Sequence, residues 1–366
     1  MNIAIGYLDS NIGGVNKHII SVVNILKNSF ETIVLLSTGK LATPYMDVLD
    51  KLDNVQIEII PNSLHFLDNY NTIKKILIKY DIEIFYNNLS TNIPCFGLIA
   101  AKNLKISRRI THSHSSGLDI KNPFKRMIYY FFNLFFRPFV VLNTTDFLAC
   151  SSKASNWLFG RRSYIFVPNA VERKKFENVA FDASLKESLD IKKDKTVIGF
   201  IGRFSYQKNI DFICELIKVM DKERFHFLLI GDGPETYRIT NLIQSLGYDN
   251  ISLLCSKNNI EVYYKLMDIF ILPSRFEGLP IVGIEAQMSS LKCVFSDKIT
   301  EETAISNACF FLPIKPIHRS VKIWKETIDK IQTDNISIEI NNSKFDMEYF
   351  SSLIRNVILK TEVING

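Results

Sequence analysis

The sequence predicts an α/β protein made of two doubly wound parallel-sheet domains. Short apolar runs alternate with longer helical stretches, the alternation occurs in two successive series, and 366 residues exceed what one hydrophobic core usually organises. The first series predicts strands at Ile3 to Tyr7, Thr32 to Ser37, Ile82 to Tyr86 and Phe147 to Ser151. The second predicts them at Thr196 to Ile201, Phe225 to Ile230, Ile251 to Leu254, Ile269 to Leu272 and Lys292 to Phe295. A polar stretch that opens at Val167-Pro168-Asn169-Ala170 and runs to Lys195 separates the two series. The domains are therefore placed at 1–168 and 169–345. A last helical segment, Met347 to Leu359 within about 346–362, is expected to pack back on the first domain.

The balance of 47% hydrophobic and 22% charged residues is that of an ordinary globular protein. A net charge of +6 without a long run of one sign gives no nucleic-acid footprint, but suits phosphate-bearing ligands or an anionic membrane surface. Six scattered cysteines with no C-x-x-C spacing, mostly inside apolar runs, point to a reducing compartment. The N-terminus reads as a first strand and not as a signal peptide, so a cytoplasmic location is expected.

Open parallel sheets bind ligands at the carboxyl ends of their strands, and the candidate residues all follow predicted strands. Gly13-Gly14-Val15 lies between the first strand and a helix over His18 to Leu26; glycines there let a phosphate approach backbone amides, or merely make a tight turn. Gly202-Arg203 ends a strand and Lys208 comes five residues later, near a helix start at Ile210. Two cations converging there fit a diphosphate better than a surface ion pair. Ile230-Gly231-Asp232-Gly233 is half of a dinucleotide fingerprint, with Thr236 where the third glycine would stand, and supports ligand approach and simple turn geometry equally.

The strongest signal is Pro273 to Ala286, which contains Glu277-Gly278-Leu279-Pro280 and Glu285. Pro280 suits the first helical turn, so Glu277 falls in the loop and Glu285 within the following helix. A carboxylate between Ile284 and Ala286 needs hydrogen bonds, which ribose hydroxyls could supply. The plainer alternatives are a dipole-favoured charge for Glu277 and a salt bridge for Glu285. His112 and His114, two apart on an extended segment, share one face; further metal ligands would have to come from elsewhere, and a hydrogen bond from one His to substrate is the favoured reading.

The E-x7-E element Glu277 to Glu285, the G-R-x4-K-N element Gly202 to Asn209, Gly13-Gly14-Val15, His112-Ser113-His114, Cys150-Ser151-Ser152 and Val167 to Ala170 together resemble glycosyltransferase family 4. Its capsular and exopolysaccharide branch is the closest in look, and the resemblance spans roughly 1–302. It implies a GT-B fold, with the two Rossmann-like domains facing a central cleft, and a retaining transferase that needs no cofactor or metal. The implied donor is a nucleotide sugar, uridine-linked, and the implied acceptor a polysaccharide or lipid-linked oligosaccharide. Arg203 and Lys208 would neutralise the diphosphate, Glu285 would bind the ribose and Glu277 the sugar hydroxyls. Amides at Gly13, Gly14, Gly278 and Leu279 would complete the cradle, and His114 rather than His112 would stand beside the sugar. Pro280 departs from the pattern, since many relatives have Gly there and so keep an amide donor.

Two other functions fit the same architecture: a sugar-nucleotide epimerase, and a non-catalytic sugar-nucleotide-binding assembly partner. The intact Arg203, Lys208, Glu277 and Glu285 set argues against a degenerate protein. A nicotinamide oxidoreductase is disfavoured because neither glycine turn completes the fingerprint. Asn122 to Leu142, crowded with aromatics behind Lys121, Lys125 and Arg126, is too interrupted to span a bilayer. It reads either as a buried helix or as a surface resting on the anionic inner face of the plasma membrane.

Overall fold

The computed structural model describes all residues except 11–12, 248, 341–342 and 361–366. Part of the predicted first loop and the predicted end of the last helix, near 362, thus lie outside the described residues. The chain divides into two compact units: Met1–Leu118 with Asn122–Ala170 and the chain from Met347, and Asp119–Lys121 with Val171–Asp346.

The first unit runs β1 (Asn2–Leu8), α1 (Gly14–Leu26), β2 (Thr32–Ser37), α2 (Thr43–Leu49), β3 (Val55–Ile59), α3 (Phe66–Lys79) and β4 (Ile84–Leu89). It continues through α4 (Phe96–Asn103), β5 (Arg108–Ser113), α5 (Pro123–Asn143), β6 (Asp146–Ala149), α6 (Ser152–Phe159) and β7 (Ile165–Phe166). In the second unit α7 (Arg173–Glu177) and α8 (Ala183–Ser188) precede β8 (Thr196–Ile201), α9 (Ile210–Val219), β9 (Phe225–Ile230), α10 (Thr236–Leu246) and β10 (Ile251–Leu254). Then come α11 (Ile260–Tyr264), β11 (Ile269–Leu272), α12 (Ile281–Met288), β12 (Lys292–Ser296), β13 (Cys309–Leu312) and α13 (Ile317–Thr333), and α14 (Met347–Leu359) returns to the first unit.

The sheet orders are β3-β2-β1-β4-β5-β6-β7 and β10-β9-β8-β11-β12-β13, and the pairings are parallel. Both sheets reverse direction once, between β1 and β4 and between β8 and β11, which is the topology of a Rossmann-like domain. Strands buried on both faces need continuous apolar runs, which is why Val34-Leu35-Leu36 and Phe227-Leu228-Leu229 are buried throughout.

Several predicted strand edges shift: β1 and β12 by one residue, β4 and β6 by more. β4 extends to Leu89 through Asn87 and Asn88, polar residues that interrupt the apolar run. β6 stops at Ala149, because Ser151 leaves the strand to cap α6, its hydroxyl accepting from the Ala154 amide at 3.1 Å. The helix after Gly13 begins earlier than His18, with Gly13 as its N-cap and Gly14 as its first residue.

α5 reverses the usual polarity of a surface helix. Its buried positions are Asn133, Val140 and Asn143, whereas Phe124, Phe131, Phe132, Phe135 and Leu142 are exposed. Asn133 faces inward because its side-chain oxygen accepts the buried Asn92 amide at 2.7 Å. The buried-helix reading of this segment is therefore overturned for its aromatic face. No helix among the described residues is long and apolar enough to cross a membrane.

α14 places Phe350, Ile354, Val357 and Ile358 in the same core as Ile19, Val22 and Val23 of α1. Arg108 donates to the carbonyl of Val357 at 2.8 Å and to that of Ile358, tying the helix end to β5. Ile354 is fully buried. Ile354→Ala is expected to destabilise the first unit by about 2 to 5 kcal/mol. Urea denaturation checks this, and an unchanged midpoint would show that α14 adds nothing to that core.

Candidate functional site

In the second unit the loops after β8 and β11 meet where the strand order reverses, and side chains and backbone stitch them together. Asn209, in the left-handed conformation at φ 60° that Asn tolerates, donates its amide to the Pro273 carbonyl at 2.9 Å. The Arg275 amide donates to the Gln207 carbonyl at 2.8 Å, and its guanidinium donates to the Tyr206 carbonyl at 2.7 Å while lying 4.3 Å from the Tyr206 ring centre. Gln207 Nε2 donates to Glu277 Oε2 at 2.9 Å, and Lys208 Nζ donates to Glu277 Oε1 at 2.7 Å.

Lys208 and Glu277 thus stand together, their side chains only 13% and 7% exposed. Arg203 begins the same loop and is exposed. Gly202 lies against the lysine stem: a Cβ there would stand 3.2 Å from Lys208 Cε. Gly278 and Leu279 are buried between Glu277 and α12, and Pro280 is the N-cap of that helix rather than a residue of its first turn. Glu285 is buried in α12 and accepts the Tyr264 hydroxyl at 3.0 Å. Burial, and then the Glu285 charge, hold the Tyr264 phenol well above its usual range, so it remains a donor. Sequence reasoning gave no role to Tyr264 or Arg275: Tyr264 lies outside every motif, and Arg275 lies within Pro273 to Ala286, two residues before Glu277.

The Gly231-Asp232-Gly233 turn has a packing explanation. A Cβ on Gly231 would approach the Gly202 carbonyl oxygen to 2.0 Å, and one on Gly233 the Phe204 carbonyl oxygen to 2.3 Å. These glycines let the loop after β9 press against the loop after β8. Gly13 differs: its φ of −133° suits any residue, and an added Cβ would meet nothing within 4 Å among the described residues.

In the first unit His112 lies in β5 and His114 directly follows it. The structure adds a third imidazole, His18 of α1: His18, His112 and His114 are buried and offer ring nitrogens within 4.8 Å of one another. Burial pushes His18 down to about 3 and keeps His112 and His114 well below the usual imidazole range, so all three are neutral at pH 7. Sequence reading missed His18 because nothing in its helix marks it; only the register of α1 against β4 and β5 brings it there.

Lys121 is committed elsewhere. Its ammonium donates to both Glu235 oxygens at 3.0 Å, within the second unit, so it does not belong to a free basic cluster ahead of α5.

Glu285 depends on Tyr264 for a charge-assisted hydrogen bond, of a kind that contributes about 1.5 to 3 kcal/mol. Tyr264→Phe is expected to lower stability by that amount in urea melts. A variant as stable as the parent would show that the carboxylate is satisfied without the phenol.

Comparison with known proteins agrees with this architecture. The family model for glycosyl transferases group 1 matches residues 182–330, which run from the start of α8 into α13 and hold the second unit's candidate residues. EpsF of Bacillus subtilis (strain 168), named as a glycosyltransferase, is 29% identical over 252 residues, 64% of this chain and 62% of EpsF. The match therefore spans less than two thirds of that relative. The capsular polysaccharide biosynthesis glycosyltransferase CapH of Staphylococcus aureus is 23% identical over 367 residues, 95% of this chain and 96% of CapH. The crystal structure of Anabaena HepE (Alr3699) in complex with UDP superposes with a TM-score of 0.74 at 15% identity, over 98% of this chain and 100% of that one. With its two Rossmann-like units, the chain has the GT-B architecture, and its second unit matches the glycosyl transferases group 1 model where the second sheet reverses.

Proposed function

We propose that this protein is a retaining hexosyltransferase of family 4 that moves a sugar from a uridine-diphosphate donor to a polysaccharide or lipid-linked acceptor in capsule or exopolysaccharide synthesis. The observation that carries the reading is the convergence of Arg203, Lys208, Glu277 and Glu285 on one strand-order reversal. A buried ion pair contributes little net stability, and apolar residues of similar size would often serve the fold as well. A charged ligand gives the Lys208–Glu277 pair a reason. The capsular role of CapH and the UDP bound to HepE agree in substrate class.

On this reading Arg203 and Lys208 stabilise negative charge as it develops on the diphosphate, the task a divalent cation performs elsewhere, and this supports transfer without a metal at the donor. The Lys208 ammonium has three N–H donors and gives one to Glu277, so it can hold the carboxylate and a phosphate oxygen together. Glu277, fixed by Lys208 and Gln207, presents its remaining lone pairs to sugar hydroxyls. Glu285, oriented by Tyr264, accepts from the ribose. For His114, Gly13 and Gly14 the resemblance assigns the roles: His114 beside the donor sugar, the glycines as amide donors. The open space around Gly13 supports close approach of a ligand.

The test is calorimetry with UDP beside turnover. Arg203→Ala and Lys208→Ala should each weaken UDP binding by about 1.5 to 3 kcal/mol. Glu277→Gln and His114→Ala should lower kcat and kcat/KM together, with smaller effects on UDP affinity. Unchanged UDP affinity in both cation variants would remove the diphosphate assignment.

The acceptor reading also draws on α5. An apolar face this large on a soluble helix marks a surface for another apolar phase, and Lys125 beside it suits anionic headgroups. We read α5 as the contact with the inner leaflet, where a lipid-linked acceptor would be met. Flotation with anionic liposomes checks this: Phe131→Ser with Phe135→Ser should abolish co-flotation, and Lys125→Ser should weaken it. Binding that survives the double change would dismiss α5 as the anchor.

A further inference from the structure

The hydrogen bonds around the three buried histidines fix their tautomers. The Val167 carbonyl is an acceptor only, so His112 Nε2, 3.0 Å away, carries its proton and donates to it. His112 Nδ1 is therefore an acceptor, and the Tyr86 hydroxyl at 2.7 Å donates to it. With its proton used, the Tyr86 oxygen accepts from His18 Nε2 at 2.9 Å, which leaves His18 Nδ1 a bare lone pair. Asn88 is oriented in the same way: its amide nitrogen donates to the Gly6 carbonyl at 2.9 Å, so its oxygen accepts from His114 Nε2 at 2.9 Å. His114 Nδ1 is a second bare lone pair. Both Nδ1 atoms are buried without a hydrogen-bond partner among the described residues.

We propose that His18 Nδ1 and His114 Nδ1 form a binding site for a borderline divalent cation of the zinc class, with His112 and Tyr86 as its supporting shell. Metal-ligating histidines nearly always donate their second ring nitrogen to an oxygen, which fixes the tautomer and turns the lone pair towards the metal. Here His18 and His114 do so, to Tyr86 and Asn88. Two imidazoles without a carboxylate suit zinc and its neighbours and not magnesium or calcium, which require oxygen ligands. His112, with both nitrogens engaged, is not a ligand; it holds Tyr86, and Tyr86 holds His18. His114 is the most exposed of the three at 9%, and water or an anionic oxygen would have to complete the coordination. The site lies within the first unit, apart from the residues proposed to hold the diphosphate, and does not depend on that assignment. If His114 also serves the donor sugar, an occupied site would inhibit transfer.

The experiment is isothermal titration of the metal-stripped full chain with zinc chloride, followed by the visible spectrum of the cobalt-loaded protein. One zinc per chain is expected, with cobalt bands typical of nitrogen ligation. His18→Gln and His114→Gln should each remove saturable binding, whereas His318→Gln, on α13, should leave it unchanged. Tyr86→Phe, close in shape to the parent, should weaken binding about tenfold or more through the supporting shell. Circular dichroism establishes that each variant is folded. Should a histidine variant fail to fold, Tyr86→Phe and the cobalt spectrum carry the decision. No saturable binding by the parent chain, or binding indifferent to His18, His114 and Tyr86, would overturn the proposal, as would zinc affinity that follows His318.

Discussion

The second unit's site depends on a topological constraint: a parallel sheet wound outward from β8 through β9 to β10 must cross back to place β11 on the other side of β8. In sheets of this order the loops that follow the two central strands lie side by side at their carboxyl ends, which is where such sheets bind ligands. Gly202 to Asn209 leaves one strand and Pro273 to Pro280 leaves its neighbour. Once these loops are side by side, Asn209, Gln207, Lys208 and Arg275 bind each across to the other. The two halves of the site are therefore joined by shared hydrogen bonds.

Close approach of backbones imposes the next requirement. The Gly202 carbonyl oxygen lies 2.0 Å from where a Gly231 Cβ would be, and Met267 Sδ lies 2.0 Å from where a Gly199 Cβ would be. Glycines that look alike in the sequence thus divide by cause. Gly199, Gly231 and Gly233 serve internal packing, whereas neither conformation nor neighbours require glycine at Gly13.

Much of this was legible in the sequence, for a physical reason. Strands buried on both faces must be apolar throughout, so β2, β8, β9 and β11 are located to the residue. The elements that escaped were those where the rule relaxes: β3 and β13 are only partly buried, β7 has two residues, and β5 reads Arg-Arg-Ile-Thr-His-Ser. The motif residues were legible because they follow strands, but their partners were not. Tyr264 reaches Glu285 from α11, and His18 reaches His112 and His114 from α1, contacts set by how helices lie on sheets rather than by any local pattern.

The same polar residues that obscured β4 and β5 to a reader of hydropathy are those that build the histidine network. Tyr86 and Asn88 on β4 point to the face that carries His112 and His114, since residues two apart on a strand share a face. Each is held by a hydrogen bond that an apolar replacement would abolish, leaving its partner buried and unsatisfied. A polar stretch within an otherwise apolar parallel sheet is costly unless every group finds a partner. Here every ring nitrogen does except two, and both belong to imidazoles whose opposite nitrogens are fixed by an oxygen. The pair left over is thus the product of an ordered network and not of loose packing, and this separates it from the solvated histidines elsewhere in the chain.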